Sequence, residues 1–248
     1  YIVGNLGENS FYKASDQYPA SIYAKDFDNN GSFDAIPSLY LPTSMNDQTK
    51  REYPAFGRTD LISQMIGMRS RFQSYKSYAD ATMDSVLTED QKKGAIIYHA
   101  NNLKSCYFRN DGNGKFAMQT LPMQAQMSML CGITVEDFDG DGNLDAAISG
   151  NDYGAEVATG RYDALNGLVL KGDGKGNFTP QTILQSGLYI PGNGKALVKL
   201  RSKTGNCLLA ASQNRGPLKV FNLKTNVRCI PLLADDVSTT IQYKNGAV

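Results

Sequence analysis

Short apolar runs bounded by Gly, Asn and Asp recur along most of the chain, a pattern that predicts β-strands joined by tight turns. Laid on itself, the chain resolves into a four-strand unit present three times. First strands read Ile22-Tyr23-Ala24-Lys25, Ile133-Thr134-Val135-Glu136 and Ala196-Leu197-Val198-Lys199-Leu200. Second strands read Asp34-Ala35-Ile36, Asp145-Ala146-Ala147-Ile148 and Cys207-Leu208-Leu209-Ala210. Third strands start at Cys106, Leu168 and Leu218, and fourth strands are expected near Phe116 to Leu121, Phe178 to Leu184 and Val227 to Leu232. Asn110-Asp111-Gly112-Asn113-Gly114 and Gly172-Asp173-Gly174-Lys175-Gly176 link third to fourth strands, supplying the positive φ that tight hairpins need. Residues 1 to 14 read as the end of a preceding unit.

Four antiparallel strands repeated radially make a propeller blade, so the predicted fold is all-β: about three β-propeller blades and a remnant. Three blades do not close a ring of ordinary size, and the chain is therefore read as an internal segment of a larger propeller. One stretch breaks the period. Residues 41 to 94 form a helical insertion, in which Leu61, Ile62, Met65, Ile66, Phe72, Tyr75, Ala79, Met83, Val86 and Leu87 fall near a 3.6-residue repeat. Thr88 and Gln91 form a capping box for its last helix, which Gly94 ends. The propeller segment is taken as residues 1 to 233 and a C-terminal segment or tail as 234 to 248.

Chemistry concentrates in the turns between first and second strands. In Asp137-Phe138-Asp139-Gly140-Asp141-Gly142-Asn143-Leu144-Asp145 the carboxylates at positions 1, 3, 5 and 9 converge on one side of a turn, which suits a hard cation with six to eight oxygen ligands. Asn143 would add its backbone carbonyl. An EF-hand is excluded because its twelfth position, a bidentate Glu, is here Ile148 within a strand. Asp26-Phe27-Asp28-Asn29-Asn30-Gly31-Ser32-Phe33-Asp34 repeats the pattern with Asn30 in place of one acid, so two Ca²⁺ sites are expected, the second-unit site being the tighter by charge. The third turn, Arg201-Ser202-Lys203-Thr204-Gly205-Asn206-Cys207, has no carboxylate and should bind no metal.

The acidic loops and the Asn-Asp-Gly-Asn-Gly-Lys-Phe hairpin resemble the FG-GAP/VCBS repeats of bacterial surface proteins, and similar calcium loops occur in integrin α-subunit propellers. Residues 234 to 248 resemble the start of the ASPIC/UnbV segment that follows such repeats in cartilage-acidic-protein-like proteins. The resemblance implies an extracellular, cell-surface or periplasmic binding or adhesion scaffold, not an enzyme. Millimolar calcium outside the cytosol fits that placement.

Composition narrows the partners. Lys plus Arg (25) balance Asp plus Glu (24), which points away from nucleic acid, and no run of 18 apolar residues offers a transmembrane segment. Tyr1-Ile2-Val3-Gly4 lacks the regions of a signal peptide. The four cysteines (Cys106, Cys131, Cys207, Cys229) have no metal-site spacing; they are either buried thiols or two disulfides, whose pairing the spacing leaves open. The single histidine, His99, reads as a strand residue. A protein or glycan ligand would meet the loops opposite the calcium turns, in particular Glu156, Arg161, Tyr162 and Asp163 of the insertion 153 to 166. The alternative is a polysaccharide-acting enzyme with Glu156 and Asp163 as its acid pair, although the chain has no Trp and only its 14 Tyr to stack on sugars.

Overall fold

The computed structural model describes residues 1–157, 159–202 and 207–224, with positions 237, 238 and 240. The expected tail 234 to 248, the fourth strand at Val227 to Leu232, Cys229 and most of the third turn lie outside the described residues. Among the described residues fourteen strands run in chain order as β1 (Ile2–Val3), β2 (Ala20–Lys25), β3 (Asp34–Pro42), β4 (Lys50–Pro54), β5 (Ile96–Ala100), β6 (Cys106–Gly112) and β7 (Lys115–Thr120), then β8 (Leu130–Glu136), β9 (Asp145–Gly150), β10 (Leu168–Gly172), β11 (Phe178–Gln181), β12 (Gly194–Arg201), β13 (Cys207–Gln213) and β14 (Lys219–Asn222). They form four antiparallel sheets, none of which closes on itself. In chain order of their central strands these are β4-β3-β2-β5, β1-β6-β7, β11-β10-β9-β8 and β12-β13-β14.

The third sheet is the predicted four-strand unit, except that its fourth strand ends at Gln181 and Ile183 and Leu184 turn into a short helix capped by Thr182, and the fourth sheet shows the first three strands of its unit. The first unit differs. Cys106 to Phe108 and the strand at Phe116 do not join Ile22 to Lys25; β6 instead pairs with β1, Ile2 opposite Tyr107 and Val3 opposite Cys106. The third-strand place beside β3 belongs to β4, inside the stretch assigned to the helical insertion, and β5 covers the other side of β2. β4 reads Lys50-Arg51-Glu52-Tyr53-Pro54, a polar edge strand with no apolar run to announce it. The β6–β7 hairpin turns on Asn113 and Gly114, whose φ of 51° and 72° match the right-handed twist of the paired strands.

Successive sheets share cores. Ile2, Tyr107 and Leu121 of the second sheet and its flank meet Leu130, Ile148 and Leu170 of the third, while Ala147 and Val169 on the opposite face meet Leu197, Leu209 and Ala211 of the fourth. β9 is buried along its whole length between those neighbours, which explains its small side chains. The first sheet is covered differently. Five short helices, α1 (Arg58–Gln64), α2 (Met68–Arg71), α3 (Tyr75–Ala79), α4 (Met83–Val86) and α5 (Glu89–Lys92), pack Leu61, Met65, Phe72, Met83 and Leu87 on Tyr23, Phe27 and Ile36. Ile66, Tyr75 and Ala79, expected on the packed stripe, are exposed, and Tyr78 is buried in their place. Each helix restarts at its own cap, Ser74 accepting from Ser77 N and Thr88 from Gln91 N, so a single 3.6-residue phase does not run through the insertion. A sixth helix, α6 (Ile183–Ser186), follows β11.

Cys106 and Cys131 are unpaired thiols, which removes the two-disulfide arrangement. His99 lies on β5 with Nδ1 2.8 Å from Ser21 Oγ, a strand residue as expected. No helix among the described residues is long and apolar enough to cross a membrane.

Candidate metal centres

The alternation of Asp with Phe in Asp-Phe-Asp fixes each acidic turn. In the first, joining β2 to β3, Phe27 points into the core under the helices while its N–H donates to Asp34 Oδ2 at 2.9 Å. Asp26 receives the N–H of Asn30 (3.0 Å) on one oxygen and of Gly31 (2.9 Å) on the other, curling the backbone around it. The second turn, joining β8 to β9, repeats the arrangement. Phe138 N donates to Asp145 Oδ2 at 3.0 Å, and Asp137 receives Gly140 N (2.7 Å), Asp141 N (3.1 Å) and Gly142 N (2.9 Å). Gly31 and Gly142 hold the same left-handed φ of 88°, which a side chain would strain.

These turns bring together Asp26, Asp28 and Asp34 in one case and Asp137, Asp139 and Asp145 in the other, each set offering carboxylate oxygens within 4.8 Å of one another. Each triad could hold a metal ion. Each carboxylate has about four lone-pair sites, so backbone N–H bonds leave capacity for a cation. The first triad fits such an ion on a further ground: Asp28 Oδ1 is shielded from solvent and has no hydrogen-bond partner, a state an oxygen-seeking cation would relieve. Burial, then the charges of Asp28 and Asp26, push the Asp34 carboxyl above its usual range, against the pull of the Phe27 N–H.

Four of the expected ligands stand apart from the triads. Asn30 Oδ1 accepts from Ser32 N at 2.8 Å, leaving both residues in the exposed rim of the first turn. Asp141 Oδ1 accepts from Asn143 N at 2.8 Å, and its other oxygen lies 3.0 Å from Lys171 Nζ. The Asn143 N–H and then Lys171 hold the Asp141 carboxyl below its usual range. Lys171, on β10, also pairs with Asp139 Oδ2. Nothing in the acidic motif marks this lysine. Its signal is register: it stands one step past the Leu170–Ala146 pair, beside the start of β9.

Two further features escaped the sequence reading. The helical insertion closes on the first acidic turn: Gln64 of α1 accepts from Ala35 N at 2.7 Å, and Gln91 of α5 donates to Phe27 O at 3.4 Å. A cleft of about 680 Å³ also opens between the third and fourth sheets, with Asp139, Asp145 and Lys171 at one end and Val169, Leu188, Leu209 and Phe221 along its wall.

The second insertion does lie beyond the opposite end of β9. An isolated bridge pairs Asp152 with Tyr162, and the Glu156 carbonyl caps the turn by accepting Thr159 N and Gly160 N, both at 3.1 Å. Arg161 stacks over Tyr153 at 5.2 Å. Tyr162 is half-buried, and Tyr12 from the N-terminal segment is close enough for Glu156 and Tyr162 to add to the effect of burial in raising its hydroxyl pKa. Glu156, Arg161 and Asp163 are exposed. Glu156, Arg161 and Tyr162 thus share a patch with Tyr12 and Tyr153, whereas no hydrogen bond or ion pair among the described residues ties Asp163 to Glu156.

No protein-family model, curated protein or solved structure matches the chain.

Proposed function

We propose that this chain is a calcium-braced, FG-GAP/VCBS-type propeller segment that serves as an extracellular, cell-surface or periplasmic binding scaffold. The observation that carries the reading is the recurrence of one acidic turn, with the same N–H cap and the same left-handed glycine, between the paired strands of two different sheets. Calcium is preferred to magnesium because an all-protein set of three or more carboxylates suits its larger, more variable shell. The ligand is a protein or glycan, met by the patch of Glu156, Arg161 and Tyr162; the cation is structural and not a reactant. The enzymatic alternative, with Glu156 and Asp163 as its acid pair, has no specific observation in its favour.

Thermal unfolding in EDTA and in rising calcium tests the proposal. A ligand bound only to the folded state adds about 2.7 kcal/mol at a hundredfold excess over Kd. Melting should therefore rise with calcium in the wild type and less in Asp28→Ala and Asp139→Ala. A melting temperature indifferent to calcium would remove the metal from the account. Hydrolysis of a glycan that is lost in folded Glu156→Gln would replace the scaffold with an enzyme.

A further inference from the structure

The two acidic turns differ in one respect that counting acids misses. Lys171 reaches the second turn from a neighbouring strand and pairs with both Asp139 and Asp141. Its backbone is fastened there, because the next residue, Gly172, donates its N–H to Asp145 Oδ1 at 2.9 Å. The ammonium is therefore tethered beside the triad and shares Asp139 with it. Around the first turn, no Lys, Arg or His among the described residues makes an ion pair with Asp26, Asp28 or Asp34; Gln64 and Gln91 contact the turn with neutral amides, and the Lys25 ammonium donates to the carbonyls of Gln91 and Lys93 instead.

We propose that Lys171 sets the cation affinity of the second turn by competing, as a built-in cation, with a divalent ion for Asp139 and Asp141. This rests on the calcium reading above. With four carboxylates and one ammonium the second turn carries the same net charge as the three carboxylates of the first, so the extra acid confers no advantage. The positive charge sits within the ligand set, and a metal must also displace it. The second turn consequently fills at higher calcium than the first, reversing the order that acid content suggests. Lys171 lines the inter-sheet cleft, which gives the displaced side chain a solvated space to enter.

Calorimetric titration with Ca²⁺ tests this on the whole chain, using Lys171→Met, Lys171→Gln and Lys171→Arg, each with and without Asp28→Ala to silence the first turn. In the Asp28→Ala background, Met and Gln should tighten the remaining site by about tenfold at low salt, from the loss of one charge a few ångströms from the ion. The gain should shrink at high salt, and Arg should keep the weak site. With Asp28 intact, an unchanged first-turn constant reports an intact fold. A second-turn constant within about twofold of wild type in both Met and Gln would overturn the assignment to Lys171 while leaving calcium binding standing. Absence of calcium binding at either turn in every variant would overturn both readings.

Discussion

Replacing Asp145 with alanine in metal-free protein takes the acceptor from two backbone N–H groups at once. Asp145 is only 2% exposed; Oδ2 receives Phe138 N at 3.0 Å and Oδ1 receives Gly172 N at 2.9 Å. An orphaned buried donor costs about 1–3 kcal/mol, so the pair costs about 2–6 kcal/mol. Relief of repulsion with Asp137 and Asp139 returns about 1 kcal/mol at most, because those acids face solvent. The net loss, about 1–5 kcal/mol, is a sizeable part of the roughly 5–15 kcal/mol typical of a domain. Urea unfolding followed by circular dichroism in EDTA measures it, with two comparisons. Asp145→Asn keeps one acceptor and should lose about half as much. Asp139→Ala removes the exposed pair with Lys171 and a 3.2 Å bond from Asp141 N, both at the solvent-facing rim of the turn, and should lose about 1 kcal/mol or less. If the two alanine variants unfold together in EDTA, the buried carboxylate does not fasten the turn, and the division of labour between frame and metal grip is wrong.

Two other substitutions probe the packing. A Cβ on Gly132 would lie 2.6 Å from Leu197 N and 2.6 Å from Ser149 Oγ, so Gly132→Ala should force the third and fourth sheets apart and cost about 1–3 kcal/mol in the same urea assay. A neutral result would mean that β8 and β12 do not approach this closely. Tyr78 and Tyr23 are buried, which raises both hydroxyl pKa values above 10.0, Glu52 adding to the effect at Tyr23. The folded protein then holds these protons after the unfolded chain begins to lose them, so their contribution is complete below about pH 10 and declines as pH rises further. Tyr78→Phe, which forfeits a 3.0 Å bond to Phe56 O and about 1 kcal/mol at neutral pH, should flatten that alkaline decline; an unchanged slope would show that Tyr78 ionises freely.

The acidic turns were legible because all their determinants lie within nine consecutive residues: the acids, the inward Phe and the glycine at positive φ. The third sheet was legible for a related reason, its strands following one another through short connections. β6 was misplaced because its runs look the same whichever edge they join, and the choice of β1 depends on contacts about a hundred residues apart that no local pattern carries. β4 was missed because an edge strand of Lys, Arg, Glu and Pro has no apolar face to show. The helical stripe was right at Phe72, Met83, Val86 and Leu87 and missed at Ile66, Tyr75 and Ala79, since the break between successive short helices resets the rotation of the next.

The same turn therefore sits in two settings. Asp145 opens β9, and the register of β10, its hydrogen-bonded neighbour in the same sheet, brings Lys171 against the acids. Asp34 opens β3 in the equivalent way, yet helices cover its sheet, and what they bring to the turn is two glutamines. A turn motif defines which oxygens converge; the elements beside it, a paired strand in one case and helices in the other, define whether they already hold a cation. Asp28, with an unpartnered oxygen, and Asp139, paired to a lysine, occupy the same position in the motif and begin from opposite electrostatic states. An affinity order read from the motif alone compares the donors and leaves out the competitor, which only the register of the third strand supplies.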